Sequence, residues 1–536
     1  SDTVTFVTGL HVGAEVKFAT TQQQSAGAID SSQVTYDPPF TGSVATNVEA
    51  KLAQYVSVID FGAVGDGTTD DTNAIQAAID SLFNSGGGTA FLPSGNYKIT
   101  APLELKSGVN LAGNGISNCV LSAVACNAIE LADNSNDQLN GLSIRNFKIT
   151  CTVASGNIGI KQYSASLATW WAGLTIEDMY IERFSVGVSL RNTYWVTIEN
   201  NDFMGCQIAV NLEGQNRVIK IINNRANYAD NDPLFPPLAG SSIAVYVTGA
   251  TFGITYNRPE DVLIQDNWFY RYDYGVDAPS ALLLWIINND FDFTQIKGIQ
   301  IAGVDGAINI TGNWVAINNV TTGLHGIDLI SLGVATNDRT IVISGNNLSV
   351  QAAIAGQAIG VKVGAFQTAA IENNTISGFT NYDIYVSGGY NTTIRGNYAT
   401  SVVTESIYII DSKAGNIFVD GNYTIGFLFV HPSNDAQFVI GANTGTYSTY
   451  IRGKSVIANG TNTTTTLFSS LPSAPPDFKT DSLSGVSPIL NILYSPSQGL
   501  GYVTGLASTL DVVITCQNNA TGNQTVYWDV VAFANV

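Results

Sequence analysis

An asparagine motif recurs through the middle of the chain and constrains the fold more than any other feature of the sequence. An aliphatic residue, two variable residues and an Asn recur as IENN (198–201), IINN (221–224), IQDN (264–267), IINN (286–289), ITGN (310–313), ISGN (343–346), IENN (371–374), IRGN (394–397) and VDGN (419–422). Successive asparagines lie 23, 43, 22, 24, 33, 28, 23 and 25 residues apart. A period of about 20–25 residues is typical of solenoids, and the longer steps indicate inserted loops.

Short apolar strands follow most copies of the motif. They read VGVSL (186–190), IAVNL (208–212), YGVDA (274–278), KGIQI (297–301), HGIDL (325–329) and IGVKV (359–363), so each unit supplies at least two strands. A single unit cannot bury its apolar side, whereas stacked units form a continuous core and pair their backbones. Asn at one place in every coil can form a ladder of amide hydrogen bonds. We therefore predict an all-β fold, a right-handed parallel β-helix.

Composition excludes two classes of partner. Only 12% of the residues are charged, and the formal net charge is −20. Nucleic acids and anionic membranes bind clustered Lys and Arg, which this sequence lacks. No apolar run is long enough to cross a bilayer. We expect no nucleic-acid partner and no membrane insertion.

The cysteines and histidines form no metal-binding pattern. Cys119, Cys126, Cys151, Cys206 and Cys516 lack CxxC spacing, and the three histidines lie far apart in the sequence. We therefore predict buried free thiols, and neither a metal nor another cofactor.

One amphipathic helix stands before the repeats. Ile75, Ala78, Ile79 and Leu82 share a face, and a solenoid needs its end covered, so we predict that this helix caps the first coil. The aspartates around residues 66–71 fit turn chemistry and an N-cap at Asp70 or Asp71. Their spacing does not match a calcium loop or a phosphate-binding loop.

Three stretches carry a family resemblance. They are VIDFGAVGDGTTDDTNAIQAAID (58–80), GGGTAFLPSGNYKIT (86–100) and GVNLAGNG (108–115), and they resemble the first segment of the pectate-lyase-like β-helix superfamily. Residues 34–63 are similar to the segment that links the particle-anchoring domain of phage tailspike depolymerases to their β-helix. The resemblance covers roughly residues 40–430 and is more specific for fold than for chemistry.

The resemblance implies a biological setting. Likeness to phage tailspike depolymerases implies a homotrimer in the phage virion that cleaves bacterial capsule or O-antigen polysaccharide. It also implies attachment to the phage baseplate or tail through an N-terminal domain, which we do not recognise in this sequence. We predict three regions: an N-terminal linker or neck (1–55), the capped β-helix (56–440) and a C-terminal β-sandwich (441–536).

Aligning the coils on the motif predicts which side chains face outward. The position five after the aliphatic residue is apolar in most coils, and it predicts an inward column of Ile181, Phe203, Ala226, Phe269, Phe291, Val315, Leu348 and Ile376. The flanking columns then point outward: Tyr180, Asp202, Arg225, Trp268, Asp290, Trp314 and Asn347 in one, and Glu182, Met204, Asn227, Tyr270, Asp292, Ala316 and Ser349 in the other.

The middle of these columns is the leading candidate site. Trp268, Asp290 and Trp314 occupy consecutive coils, with Tyr270 and Asp292 beside them. Pyranose rings lie on aromatic rings while their hydroxyls bond to acids, so a sugar groove is one interpretation. The alternative is that a neighbouring subunit covers these residues.

Two acid pairs have admissible spacing for glycoside hydrolysis. Asp290 and Asp292 have Cα atoms about 6.5 Å apart by strand rise, and an inverting glycosidase needs its carboxyl groups about 6.5–9.5 Å apart. Glu182 and Asp202 form a second pair on adjacent coils, although Arg225 beside Asp202 also predicts an ordinary salt bridge. A partner acid from another subunit is a further possibility.

Other residues extend the candidate site. The longest step carries loop acids Asp230, Asp232, Glu260 and Asp261, which either reach over the groove or serve as turn residues. Tyr246, Asp277, Gln300 and Asp328 stack outward on another face as candidate substrate contacts. Arg225 with Arg271 is the candidate basic spot for an anionic substrate.

Three functions compete at this stage. The leading one is an endo-acting, metal-free glycoside hydrolase that uses Asp290 and Asp292 or a nearby acid pair. A polysaccharide lyase would need Arg, Lys, Tyr or His, for which Arg271, Tyr272, Arg225 and Tyr270 are candidates. A non-catalytic adhesin that only holds surface glycan is the third.

Overall fold

The computed structural model describes most of the central chain and parts of its two ends. The described residues are 30–52, 55–131, 139–152, 156–163, 171–228, 241–252, 255–303, 306–319, 323–330, 340–351, 358–364, 366–403, 405–412, 416–432, 437–440, 443–445, 449–457, 463–467, 489–493, 503–507, 511–516 and 524–531. The chain divides into two compact units, Ser1–Tyr55 and Val56–Val536. The predicted domain bounds stay predictions.

The first unit contains only short elements in its described part. They are a 3-10 helix (Ser31–Gln33), two antiparallel strands (Thr35–Tyr36 and Thr46–Asn47) and an α-helix (Val48–Leu52). The strand Tyr55–Ser57 spans the boundary between the two units.

The second unit is a right-handed parallel β-helix with three long sheets. Sheet 1, which ends at the asparagine motif, contains Gly88–Leu92, Val109–Gly113, Leu139–Arg145, Trp171–Glu177, Thr193–Glu199, Arg217–Ile222, Glu260–Gln265, Leu284–Ile287, Ile308–Thr311, Thr340–Ser344, Thr368–Glu372, Asn391–Arg395, Asn416–Asp420 and Gln437–Ile440. Sheet 2, just after the motif, contains Asp66–Asp70, Gly95–Ile99, Cys119–Ala123, Lys148–Cys151, Tyr180–Glu182, Asp202–Met204, Arg225–Asn227, Trp268–Tyr270, Asp290–Thr294, Trp314–Ile317, Asn347–Val350, Thr375–Ser377, Tyr398–Ala399, Tyr423–Thr424 and Thr444–Gly445.

Sheet 3 completes each coil and extends beyond the last motif. Its parallel strands are Leu103–Leu105, Ile129–Leu131, Ile158–Tyr163, Val186–Arg191, Ile208–Glu213, Ile243–Thr248, Tyr274–Ala278, Lys297–Ile301, Leu324–Leu329, Ala358–Gly364, Tyr382–Ser387, Glu405–Ser412, Phe427–Pro432 and Thr449–Ile457. The chain passes from sheet 1 through sheet 2 to sheet 3 in every complete coil, which confirms the predicted fold.

The motif asparagines form the predicted ladder. Asn289 is buried, and its side-chain amide donates to Oδ1 of Asn313 at 3.0 Å while its Oδ1 accepts from the amide of Asn267 at 2.9 Å. The same bond joins Asn201, Asn224, Asn267, Asn289, Asn313, Asn346, Asn374, Asn397, Asn422 and Asn443 in an unbroken series. Each side chain thus satisfies polar groups of the turn that the apolar core would otherwise leave unpaired.

The residue before each ladder asparagine has a specific backbone conformation. Asn288 has φ 53° and Gly312 has φ 69°, both in the left-handed region. Asn, Asp and Gly adopt this region at the lowest cost, and they fill this position in all nine motifs. The position that we treated as variable therefore sets the turn between sheets 1 and 2.

The predicted inward column is confirmed. All eight of its members are at most 3% exposed. Sheet 3 meets this column through glycines such as Gly275, where an added Cβ would lie 2.2 Å from Phe291 and 2.5 Å from the carbonyl oxygen of Gly298. The strand with Asp290 and the strand with Tyr274 are therefore packed closely through the core.

The predicted helix spans Thr72–Asn84 and buries Ile75, Ala78, Ile79 and Leu82. Its capping role stays a prediction. Asp70 accepts the backbone N–H of Thr72 at 3.1 Å, as an N-cap acid would. Asp71 differs, because its buried carboxylate accepts the backbone N–H groups of Val64 at 2.6 Å and Gly65 at 3.1 Å and makes no cap bond.

The C-terminal strands form two groups. Thr449–Ile457 runs parallel to Phe427–Pro432 and antiparallel to Gln524–Val531, which also pairs with Ile489–Leu493. Thr463–Leu467, Asp511–Cys516 and Val503–Ala507 form a separate antiparallel sheet. The predicted β-sandwich stays a prediction, because the side-chain packing here lies outside the described residues.

Two expectations concern cysteines and membranes. Cys119, Cys151 and Cys206 are buried free thiols, whereas Cys126 is only partly buried, and the side chain of Cys516 lies outside the described residues. No helix in the described part of the chain has the length and apolar character needed to span a bilayer.

Candidate active site

The first outward column has the predicted register. Tyr180, Asp202, Arg225, Trp268, Asp290, Trp314 and Asn347 pair in sequence across adjacent strands of sheet 2. Trp268 is 36% and Trp314 is 38% exposed. Asp290 thus lies between two exposed indole rings, each one coil away, about 4.8 Å along the axis.

A β-bulge interrupts the second column. Tyr270 pairs with Asp292 as predicted, but the register then shifts between Phe291 and Thr294, where Phe293 has φ 54°. The shift corrects the prediction for Ala316, which is fully buried and does not face outward. Bulges redirect side chains and are common beside active sites, but the strand letters DFDFT contain no signal for one.

Aromatic rings surround the acid pair on one side. Trp268 stacks on Tyr270 with centroids 5.4 Å apart, and Tyr270 contacts Phe293 at 5.3 Å. The guanidinium of Arg271 lies 5.2 Å from the centre of the Tyr270 ring. The bulge brings Phe293 into this group, which the sequence did not predict. The result is a continuous aromatic surface beside Asp290 and Asp292.

Among the described residues, Asp290 and Asp292 have neither a cation partner nor a full set of hydrogen-bond donors. In the described part of the chain, Oδ1 of each is buried and accepts no hydrogen bond. Burial, and then the negative charge of Asp292, raise the pKa of Asp290 to about 6. Burial also raises the pKa of Asp292, against a lowering contribution from the backbone N–H of Phe293. One carboxyl can therefore be protonated near neutral pH while its neighbour is ionised.

The second predicted acid pair has a different environment. Glu182 binds Nζ of Lys148 at 2.5 Å and Nε of Arg183 at 3.3 Å. Asp202 binds Nε and Nη2 of Arg225, both at 2.6 Å. Both carboxylates therefore form salt bridges with basic side chains.

The predicted basic and lyase residues have different partners and different exposure in the structure. Arg225 pairs with Asp202, and hydrogen bonding and charge from that carboxylate raise the pKa of Arg225. Tyr272 is 1% exposed and donates to the carbonyl of Cys206 at 3.1 Å. Tyr272 as a lyase residue is therefore a wrong prediction, because no substrate contacts a phenol inside the core. Arg271 and Tyr270 stay at the surface of the aromatic group.

Of the four loop acids, only Glu260 and Asp261 lie within the described residues. Asp230 and Asp232 lie outside the described residues. Glu260 begins a strand of sheet 1, and its Oε2 binds Nε of Arg217 at 3.0 Å. Asp261 follows it in that strand, so the alternative in which these two acids reach from a loop over sheet 2 is wrong.

The register predicted for the second outward face, which lies on sheet 3, is confirmed. Tyr246, Asp277, Gln300 and Asp328 pair in sequence along sheet 3. Gln300 donates to Oδ1 of Asp277 at 3.0 Å. Lys297 and His325 both contact Asp328, and the sequence analysis did not connect them with this face. The sequence could have indicated this, because Lys297 and His325 are the first residues of the equivalent strand segments KGIQI and HGIDL.

No group of three or more His, Cys, Asp or Glu side chains with metal-binding geometry occurs within the described ranges. The expectation that the site works without a metal stays a prediction.

Comparison with known proteins agrees with this architecture. The family described as rhamnogalacturonase A/epimerase, pectate lyase-like, matches residues 55–171. Mannuronan C5-epimerase AlgE1 of Azotobacter vinelandii is 39% identical over 118 residues, which are 20% of this chain and 8% of that protein. The tail spike protein of Shigella phage Sf6 is 21% identical over 293 residues, 52% of this chain and 45% of that protein.

A solved structure extends the likeness over almost the whole chain. It is a mutant tailspike protein of E. coli bacteriophage HK620 in complex with pentasaccharide, with a TM-score of 0.50 and 12% identity over 94% of this chain and 97% of that chain. This likeness bears on the fold alone. The chain spans less than half the length of the two curated relatives named above. Together these matches show that residues 55–171 are similar to the pectate-lyase-like family and that about half of the chain is similar to a phage tail spike protein, on a right-handed parallel β-helix fold.

Proposed function

We propose that the chain is an endo-acting depolymerase that hydrolyses a bacterial surface polysaccharide at the Asp290–Asp292 site. The observation that carries this proposal is one pair of partly buried carboxyls on a single strand, both with raised pKa. Asp290 has a pKa raised to about 6 by burial and by Asp292, and neither acid has a cation partner in the described structure. A glycosidase needs such a protonated acid beside an ionised one.

In the proposed reaction Asp290 is the general acid and Asp292 the general base. Asp290 gives its proton to the glycosidic oxygen as the bond from that oxygen to the anomeric carbon breaks. Asp292 takes a proton from water as the water oxygen bonds to the anomeric carbon. A Cα separation of about 6.5 Å leaves room for that water and favours inversion.

The aromatic surface supplies the binding groove. Trp268 and Trp314 flank Asp290 one coil before and one coil after it, and both are exposed. Sugar rings that stack on them would place a glycosidic bond over the acid. Tyr270, and Arg271 over its ring, would contact the neighbouring sugar unit.

The relatives support the substrate class and the setting. A tailspike protein of bacteriophage HK620 is bound to a pentasaccharide, and the epimerase match acts on the polysaccharide mannuronan. By this analogy we place the protein in the phage tail, as a homotrimer that acts at the bacterial surface on capsule or O-antigen. The resemblance to spike proteins favours hydrolytic depolymerisation over adhesion alone.

Hydrolysis can be tested directly with labelled water. Purified capsule and O-antigen from candidate hosts are incubated with the protein in H₂¹⁸O, and the products are separated by size and weighed by mass spectrometry. We expect oligosaccharides of one repeat unit or multiples, each with one ¹⁸O at its new reducing end. Bound but uncut polysaccharide would support the adhesin instead, and shortened chains without ¹⁸O would contradict hydrolysis.

A further inference from the structure

The β-bulge of sheet 2 includes one of the two acids of the candidate active site. The pairing with the following coil breaks after Phe291 and resumes at Thr294. Asp292 and Phe293 therefore stand together opposite the single residue Ala316. A bulge of this kind redirects side chains and withdraws backbone groups from the ladder between strands. Here it does so at the proposed general base.

The bulge gives Phe293 a backbone conformation that an aromatic residue seldom adopts, with φ 54°. Arg183 and Arg271 occupy the same place in earlier coils and have φ 67° and 64°. Their backbone N–H groups donate to the next coil, to the carbonyls of Met204 at 2.9 Å and Asp292 at 3.1 Å. The register shift leaves Phe293 without a partner in that ladder. Such strain persists only where surrounding contacts fix it, and it is concentrated at functional sites.

The backbone N–H that the bulge releases acts on one acid only. The N–H of Phe293 donates to the carboxylate of Asp292 and counteracts the rise of its pKa on burial. For Asp290, burial and the charge of Asp292 raise the pKa to about 6, with no lowering contribution from a described residue. The two acids are therefore unequal, although they lie on one strand.

Side chains on both sides of the bulge fix its shape. Nε2 of Gln295 donates to the carbonyl oxygen of Phe293 at 2.7 Å. Oγ1 of Thr294 donates to the carbonyl oxygen of Phe291 at 3.4 Å. The Phe293 ring contacts Tyr270 on the preceding coil, with centroids 5.3 Å apart. Because the carbonyl and the ring of Phe293 are both held, the direction of its N–H is held as well.

The charged and titratable groups on the elements packed around the bulge have other contacts. Arg271 on the preceding coil lies 5.2 Å from the centre of the Tyr270 ring. Asp273 in the next turn accepts a backbone N–H at 2.9 Å, and Lys297 on sheet 3 binds a carboxylate of that sheet at 2.6 Å. The strand of the following coil, Trp314–Ile317, has no titratable side chain. In the described structure no cation therefore competes with the N–H of the bulge.

We propose that the bulge at Phe293 keeps the single proton of the acid pair on Asp290 and the negative charge on Asp292. The inference rests on the proposed function, in which these are the general acid and the general base. Two interacting carboxyls lose their protons in two steps, and the singly protonated form is the active one. A hydrogen bond to one carboxylate favours the charge at that place. Phe293 and Gln295 are thus positioning residues that act through Asp292.

Two substitutions separate the backbone of Phe293 from its ring. Phe293→Gly and Phe293→Val both remove the ring, but Gly adopts positive φ freely, whereas a β-branched residue does not. Val should therefore withdraw the N–H from Asp292, while Gly should keep it there. Gln295→Leu removes the bond that holds the bulge and should act as Val does. Arg183→Val is the matched control, because Arg183 has φ 67° at the same place four coils earlier.

The pH profile of hydrolysis gives the first readout. On the acid side of the pH optimum, kcat of Phe293→Val should be about tenfold below that of Phe293→Gly, as loss of one hydrogen bond to a charged group predicts. KM should be the same in both, since both lack the ring. Gln295→Leu should show the same fall relative to wild type. Arg183→Val should lower the melting temperature and keep the pH profile of wild type.

Infrared titration of the carboxyl groups gives a second readout that needs no substrate. The bands of the two protonated acids are identified by their loss in Asp290→Asn and Asp292→Asn. As the pH rises, we expect Asp292 to lose its proton before Asp290 in wild type and in Phe293→Gly. In Phe293→Val both should lose their protons over the same pH range.

The two readouts separate failure of this inference from failure of the proposed function. The expected infrared order supports the inference even if the protein hydrolyses no tested polysaccharide. Loss of both protons over one pH range in wild type overturns it, and so does an Asp292 titration that Phe293→Val leaves unchanged. An equal change of the pH profile in Arg183→Val also overturns it, because general strain would then be the cause.

Discussion

The two acid pairs of sheet 2, Glu182 with Asp202 and Asp290 with Asp292, lie on the same two outward columns but have different neighbouring side chains. Asp202 and Asp290 occupy the same outward column three coils apart. Arg225 follows Asp202 by one coil and binds it with both nitrogens at 2.6 Å. Trp314 follows Asp290 by one coil and offers an exposed aromatic ring. The residue at this position in the next coil therefore differs between the two acids: it is a salt-bridge partner for Asp202 and an exposed aromatic ring for Asp290.

The comparison teaches how a solenoid can build a site. Every coil presents the same outward positions, so a new environment requires only new side chains on neighbouring coils and no change of backbone. The β-bulge at Phe293 is an exception, because it alters the backbone and adds a third ring to the aromatic surface.

The largest effect is expected when Asp290 is given the same cationic neighbour that Asp202 has. Trp314→Arg places a guanidinium one coil after Asp290, as Arg225 stands after Asp202. A nearby cation lowers the pKa of a carboxyl, so Asp290 should lose its proton at neutral pH. We expect the hydrolysis rate to fall about 100-fold, as measured by release of reducing ends. Trp314→Phe is the control, and an equal loss there would assign the effect to the lost indole.

The second largest effect is expected in the pH dependence of the hydrolysis rate. As the proposed general acid, Asp290 would act in its protonated form, and its pKa is raised to about 6. Hydrolysis should therefore fall about tenfold for each unit above pH 6.

The raised pKa of Asp290 also has a consequence for stability, because the folded state binds this proton more tightly than the unfolded chain does. The stabilising effect of the proton is fully present below pH 3.8 and is lost as the pH rises through 6. Asp290→Asn should melt at a higher temperature than wild type at pH 8, and a lower melting temperature there would contradict this assignment.

The aromatic rings should contribute less than the acids. Trp268→Ala removes a ring that stacks on Tyr270 at 5.4 Å and flanks Asp290. Such contacts are worth about 0.5–1.5 kcal/mol, so KM should rise up to about tenfold with little change in kcat. Trp195→Ala on sheet 1 is the matched control, since Trp195 is 64% exposed and remote in sequence from the acids. Equal effects of both substitutions would argue against a groove on sheet 2.

The smallest effect is expected at the ion pair. Arg225→Gln breaks the pair with Asp202, and the Arg225 side chain is 67% exposed. Exposed salt bridges contribute about 0–1 kcal/mol. The free energy of unfolding, measured by urea denaturation, should fall by no more than that, and hydrolysis should keep its rate. A loss of activity would show that Glu182 and Asp202 belong to the site after all.

Much of the fold could be predicted from the sequence because the asparagine ladder repeats in the chain itself. The nine motif residues fix the register of sheets 1 and 2, and that register placed Trp268, Asp290 and Trp314 correctly. The left-handed residue before each ladder asparagine was also visible as Asn, Asp or Gly, although its conformation was not predicted.

The rest depends on contacts that no local pattern contains. The bulge at Phe293 shifts one strand against its neighbour, and the letters alone did not predict that Ala316 turns inward. The burial of Tyr272 reflects the path of the turn between sheets 2 and 3. The contact of Lys297 and His325 with Asp328 requires the register of sheet 3 across loops of unequal length.

The most direct test of the central claim compares the two acids on one substrate. Wild type, Asp290→Asn and Asp202→Asn are incubated with a polysaccharide that wild type shortens, and chain length is followed by size-exclusion chromatography. Since general acid catalysis contributes about 10²–10⁴-fold, Asp290→Asn should bind the polysaccharide and cut it about 1,000-fold more slowly, while Asp202→Asn should cut as fast as wild type. Equal cutting by Asp290→Asn and wild type would contradict the assignment of the site.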